Sequence, residues 1–175
     1  MCVAGREILL RGGRCYLGGW IRPVSGHGNG ELWTKECALP SGRPPKVMEI
    51  VEIPLAICLE DPTQPENWRI VNRGQWKPAS PAYRKPPREL LLEDPPTLWR
   101  QKGQRSDRVT CQFLETNPAE QSLYLVEVES LRVRFAWDDH EGRTKQRYRA
   151  MFTYRASSYE FNITDPEFTE RHRKK

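Results

Sequence analysis

The chain has 175 residues, 37% of them hydrophobic, and a net charge of +5. That length holds one large or two small domains, and no apolar run reaches the ~18–20 residues of a membrane helix. The five cysteines (Cys2, Cys15, Cys37, Cys58, Cys111) form no CxxC pair to start a zinc tetrahedron, and the apolar residues 8–10 are cut short by Arg11-Gly12-Gly13-Arg14, so buried free thiols, a cytoplasmic location and no signal peptide are expected.

In chain order, residues 15–24 read as an extended segment weakened by Gly18-Gly19, and residues 26–30 supply a glycine loop. Residues 47–53 have apolar side chains at both parities, which suits a buried strand. Residues 62–68 read as a short helix or turn, with Thr63 as cap and Pro65 near its start. Pro78, Pro81, Pro86, Pro87, Pro95 and Pro96 then make a stiff connector, since proline has no ladder donor and disfavours helix before it. Within it, Leu90-Leu91-Leu92 is either a short strand or a hydrophobic anchor.

Beyond the connector, Tyr124, Val126 and Val128 are apolar at even positions, whereas Leu131, Val133, Phe135 and Trp137 are apolar at odd ones. A strand cannot change parity without an extra residue, so a β-bulge or sharp corner is expected within residues 129–131. The string Asp138-Asp139-His140-Glu141-Gly142 reads as the next loop, followed by a strand alternating Tyr148, Ala150, Phe152 and Tyr154 with Arg147, Arg149, Met151 and Thr153. A last run puts Tyr159, Phe161 and Ile163 on one side, completing a three-stranded meander. No extended helical period and no internal repeat is present.

The chemistry concentrates on two sets of residues. Pairing Trp137 near Gln146 puts Phe135 opposite Tyr148 and Arg134 opposite Arg149, and directly opposed like charges destabilise a sheet unless an anion lies between them. Arg132, Arg134, Arg147 and Arg149 are therefore phosphate-binding candidates; the alternative is a solvated face whose arginines meet Glu127, Glu129 or Glu160. Basic residues also run through 143–155 and the end Arg171-His172-Arg173-Lys174-Lys175. Tyr148, Tyr154 and Tyr159 are either core or stacking surfaces. The second set is Trp20, Arg22 and Trp68, among six tryptophans that small β domains commonly use as core anchors. Trp20 and Arg22 share a strand face, an arrangement that holds a base or phosphate, or makes a plain cation–π contact. Asp138, Asp139, His140 and Glu141 have metal-ligating chemistry, but neighbours on a turn splay apart. The histidines and cysteines give no nucleophile–base spacing, so no catalytic residue, metal ligand or cofactor is assigned.

The strings CVAG at the start, GGWIRPVS from Gly18, VEIPL from Val51, PENW from Pro65 and ITDP from Ile163 resemble a prokaryotic family of dual-OB-fold proteins, from end to end of the chain. The resemblance implies two tandem oligonucleotide/oligosaccharide-binding barrels with a nucleic-acid-binding role. That family opens with an apolar strand before a GGRC-like turn, whereas Cys2-Val3-Ala4-Gly5 already resembles the segment after such a turn. Either Arg11-Gly12-Gly13-Arg14-Cys15 takes its place or the first barrel is incomplete. The resulting expectation is an all-β chain of two small OB-like barrels, residues 1–77 and 98–175, joined by the Pro-rich connector 78–97. It is read as a non-catalytic protein that binds nucleic acid, single-stranded in preference, and no membrane. The alternatives are a protein-interaction subunit with a protein partner, and a metal-dependent hydrolase built from Asp138, Asp139, Glu141 and Asp165.

Overall fold

The computed structural model describes residues 2–28, 30–71, 75–83, 85–86, 88–98, 109–140 and 143–172. The architecture is all-β, with nine strands and two six-residue helices among the described residues. Two compact units divide the chain: Met1–Leu92 with Cys111–Leu125, and Glu93–Thr110 with Val126–Lys175.

The first unit starts from a hairpin that only glycine makes easily. Gly12 and Gly13 both take left-handed backbone (φ 56° and 74°), the two-residue turn whose twist matches antiparallel strands. It joins β1 (Gly5–Arg11) to β2 (Arg14–Val24), so a strand does run into the Gly-Gly-Arg-Cys turn. A bulge between Arg6 and Ile8 shifts the register, and the far end of β2 pairs in parallel with β5 (Asn67–Ile70), Arg22 opposite Asn67. β4 (Leu55–Cys58) lies antiparallel to β5, giving the order β1-β2-β5-β4. β3 (Val51–Glu52) and β6 (Lys77–Pro78) form a separate pair, and among the described residues no pairing closes the four strands into a barrel. Leu32, Cys37, Leu39, Ile70 and Trp76 make the core, with Val3, Val51, Ile53 and Leu55 packed against it.

Three expectations for this region change. The strand over residues 47–53 shrinks to β3, and Val47 is almost fully exposed. Pro44 and Pro45 precede it, Met48 takes a left-handed φ of 65°, and Arg43 clamps Glu49 through two hydrogen bonds of 2.8 and 2.6 Å, so the chain turns before it can extend. Residues 62–68 are turn, then strand: the Asp61 carboxylate, rather than Thr63, organises them, accepting from the Thr63 amide at 2.8 Å and hydroxyl at 2.6 Å. Of the five thiols only Cys37 is buried, while Cys2 and Cys111 are exposed. Burial pushes the Cys37 thiol up from its ordinary pKa. Leu91, in a 3₁₀ turn at Arg88–Leu91, is buried, so the Leu90-Leu91-Leu92 string anchors rather than extends.

The second unit is the expected meander, β7 (Glu129–His140), β8 (Arg143–Tyr154) and β9 (Ser157–Asn162), in the order β7-β8-β9. Phe135 pairs with Tyr148, Trp137 with Gln146 and Arg134 with Arg149. Between Glu129↔Thr153 and Arg132↔Met151 the β7 side carries one extra residue, and Ser130 sits there at φ 53°. A bulge therefore lies within residues 129–131, as expected, although the even-position residues that suggested it are not part of the strand. Two limits of the meander differ from expectation. Pairing continues past Asp138 to His140↔Arg143, and Tyr124, Val126 and Val128 lie outside the sheet. The second goes with the end of β8 at Tyr154, where Arg155 and Ala156 (φ 46° and 61°) turn the chain into β9.

Aromatic residues fill this unit. Tyr148, Tyr154 and Tyr159 are all buried, which settles them as core. Each buried hydroxyl finds a partner, as burial requires: Tyr148 donates to the His172 carbonyl, Tyr154 to the Pro95 carbonyl at 2.7 Å, and Tyr159 meets the Thr97 hydroxyl at 3.3 Å. Phe168, on helix α2 (Pro166–Arg171), packs edge-on against Tyr148. In the first unit the other helix, α1 (Cys111–Thr116), is one and a half turns long, too short to show a period in the sequence.

Candidate nucleic-acid interface

The β7–β8 register decides which side chains share a face. Arg134 opposes Arg149, Ala136 opposes Arg147, Arg132 opposes Met151, and β9 adds Asn162 and Glu160 beside Arg149 and Met151. Val133, Phe135, Trp137, Tyr148, Ala150 and Phe152 lie on the other face, where Phe135, Tyr148 and Phe152 join the aromatic cluster while Val133 and Trp137 stay exposed. Four arginines are thus gathered on one face by alternation alone, with the Glu160 carboxylate among them.

That carboxylate is shared. Glu160 Oε1 accepts from Arg134 at 2.6 Å and stands 3.6 Å from Arg149 Nε. A carboxylate between two opposed guanidinium groups relieves part of their repulsion. Arg132 and Arg147 are exposed and Arg149 is half-buried. Basic side chains thus outnumber acidic ones among the described residues of this face, which is a condition for meeting a phosphate backbone. Exposed ion pairs of the Arg134–Glu160 kind contribute only ~0.2–1 kcal/mol to stability, so this pair adds little to the fold.

The other three sequence candidates lie in the first unit and do not form one site. Trp20 and Arg22 share a side of β2, but Pro23 pairs with Trp68, which places Trp68 on the opposite side of the sheet. The cation over the half-buried Trp20 ring is Arg6, its cross-strand partner, 5.5 Å from the centroid. Arg22 turns inward instead: its Nε donates to Asn67 Oδ1 at 2.7 Å and its Nη2 lies 3.6 Å from the buried Glu66 carboxylate. Glu66 also accepts from the Ser122 amide at 3.2 Å and from the Ser122 hydroxyl. Arg22 belongs to a buried polar network that ties residues far apart in sequence, and no local pattern announces it.

A different tryptophan is presented to solvent. Trp33 is 53% exposed, with the His27 imidazole stacked on it at 5.6 Å and Lys35 Nζ 4.5 Å from the ring centroid. Sequence reasoning counts it among core anchors. The signal that separates it is local: Leu32 and Cys37 on either side are the buried residues, so the side chain between them faces out.

Among the described residues no three His, Cys, Asp or Glu side chains converge as metal ligands. Asp165 is occupied as the cap of α2, accepting from the Phe168 amide at 3.0 Å. The side chains of Asp138, Asp139, His140, Arg143 and Lys145, with Glu141, Trp99 and the terminal Arg173-Lys174-Lys175, lie outside the described residues. No helix among the described residues is long and apolar enough to cross a membrane.

No curated protein and no solved structure matches the chain. The dual OB-containing domain family matches residues 1–175 in full, and the chain belongs to that family.

Proposed function

We propose that this protein binds nucleic acid, with single strands preferred, through the arginine face of β7 and β8. The observation that carries the reading is the gathering of Arg132, Arg134, Arg147 and Arg149 on one face of the sheet, with Arg134 directly opposite Arg149 and the Glu160 carboxylate against both. Phosphate oxygens suit such a pair, because Arg meets them through planar, forked donors. Membership of a dual OB-containing domain family supports a binding role of this kind.

The test is a salt titration of oligonucleotide binding. With four phosphate contacts on a single strand, log K should fall against log salt with a slope near roughly −3. Binding that ignores salt, or no binding in low salt, removes nucleic acid as the partner. A second reading, a protein partner, is favoured by one observation: on the opposite face Leu131, Val133 and Trp137 remain exposed along β7. The absence of oligonucleotide binding in low salt would move the assignment towards it.

A further inference from the structure

The surface around Trp33 is built to hold an indole in solvent. Leu32, Cys37 and Leu39 are almost wholly buried and fix the backbone on both sides of it. Glu36 fixes it again: its carboxylate accepts from the Trp33 amide at 2.7 Å and from the Ser25 hydroxyl at 2.8 Å. Burial works to raise the Glu36 carboxyl, but those two donors, with the charges of His27 and Lys35, outweigh it and hold it below its ordinary pKa. It is therefore ionised and directed inward. The loop that carries His27 is closed in turn, Ser25 and Gly30 bonding through N–H···O at 2.9 Å and the His27 carbonyl accepting from Gly30 at 3.1 Å.

The ring so presented has two cationic or potentially cationic neighbours and an opening beside them. His27 and Lys35 are both exposed and both also line an open cleft of about 780 Å³, with Leu39, Pro40, Ile70 and Gln75. A large apolar ring is ordinarily covered, since burying it is favourable in proportion to its area. Here the backbone supports prevent that, and the groups against the ring are surface side chains that a flat ligand can displace. An aromatic heterocycle would stack on the indole, and the displaced ammonium and imidazole would remain beside any phosphate attached to it.

We propose that Trp33, with His27 and Lys35, is a stacking subsite for one unpaired base of a single strand, separate from the arginine face. The proposal rests on the nucleic-acid reading above and adds what that reading lacks, a contact with a base. Base–indole stacking is sequence-tolerant, because every base has a π face.

The experiment compares wild type, Trp33→Ala and Trp33→Phe in binding a labelled oligothymidylate and an abasic strand of equal length, each titrated with salt. Trp33→Ala should lose about 5- to 150-fold in affinity for the base-bearing strand, with its salt slope and its affinity for the abasic strand unchanged. Trp33→Phe should recover most of the loss. If Trp33→Ala binds the base-bearing strand as wild type does, or weakens both strands equally, the subsite is overturned while the arginine face stands. If wild type binds neither strand, both readings fall together. Thermal melting checks that the exposed substitution leaves the fold intact; should alanine unfold it, Trp33→Leu, which keeps apolar bulk without a π face, is read in its place.

Discussion

Replacing Arg134 and Arg149 together with Gln separates a phosphate-binding face from a solvated one. If four arginines each meet a phosphate, the wild-type slope of about −0.7 per contact totals roughly −2.8, and affinity falls about 50-fold between 50 and 200 mM salt. With two contacts gone the slope should halve to roughly −1.4, and the same interval should weaken binding only about 7-fold. Stability should barely move. The Arg134–Glu160 pair at 2.6 Å is largely solvent-exposed and contributes under about 1 kcal/mol, while removing two opposed like charges gives some of that back. Glu160→Gln is the converse change: it removes a negative charge that both guanidinium groups share and should tighten binding and steepen the slope. The assays are a fluorescence-anisotropy titration at several salt concentrations and a denaturant melt on the same samples. A double variant with the wild-type slope would refute the reasoning, whatever happens to its stability.

Two further outcomes test the fold that holds the site. Ala156→Gly should stabilise the protein by about 0.5–1 kcal/mol in a denaturant melt, because Ala156 occupies a left-handed turn at φ 61° that suits glycine. Glu49→Gln should lower the melting temperature at neutral pH, and that difference from wild type should close as pH falls from about 4.5 to about 2: the Arg43 hydrogen bond, with the Lys46 amide, depresses the Glu49 carboxyl from 4.5 to about 2, so its stabilisation is present above the ordinary value and lost through the depressed one.

The second unit was legible because its information is local. Alternation over β7 and β8 sorts Arg from aromatic residues in any register that buries the two apolar rows together, and the register found is the supposed one, Trp137↔Gln146. The parity change located the bulge at Ser130 for the same reason. The first unit hides its organisation in long-range pairing. β4 and β5 are four residues each, too short for a period to stand out, and the parallel β2–β5 pairing joins Arg22 to Asn67 across a long stretch of irregular chain. Residues 47–53 show the opposite failure: their apolar pattern is strand-like, yet the Arg43–Glu49 clamp and Met48 in left-handed backbone make them a turn. There, turn geometry overrides the pattern.

The same contrast explains why the arginines could be chosen from sequence and the tryptophan could not. A guanidinium on a strand is placed by parity, so sequence alone says which four arginines share a face. Whether an indole is core or platform depends on what its neighbours bury. Trp76 is wholly enclosed and Trp33 is half exposed, although both sit in short irregular segments of the same unit. The two contacts also differ in what they measure. If Arg132, Arg134, Arg147 and Arg149 hold phosphates, that binding should release counterions and weaken with salt, whereas stacking on Trp33 would release none and should hold its contribution as salt rises. In high salt the ratio of wild-type to Trp33→Ala affinity should therefore persist while the ratio of wild-type to the Arg134–Arg149 double variant collapses towards one. A single pair of titrations then assigns each set of residues to backbone or base by whether its ratio persists or collapses.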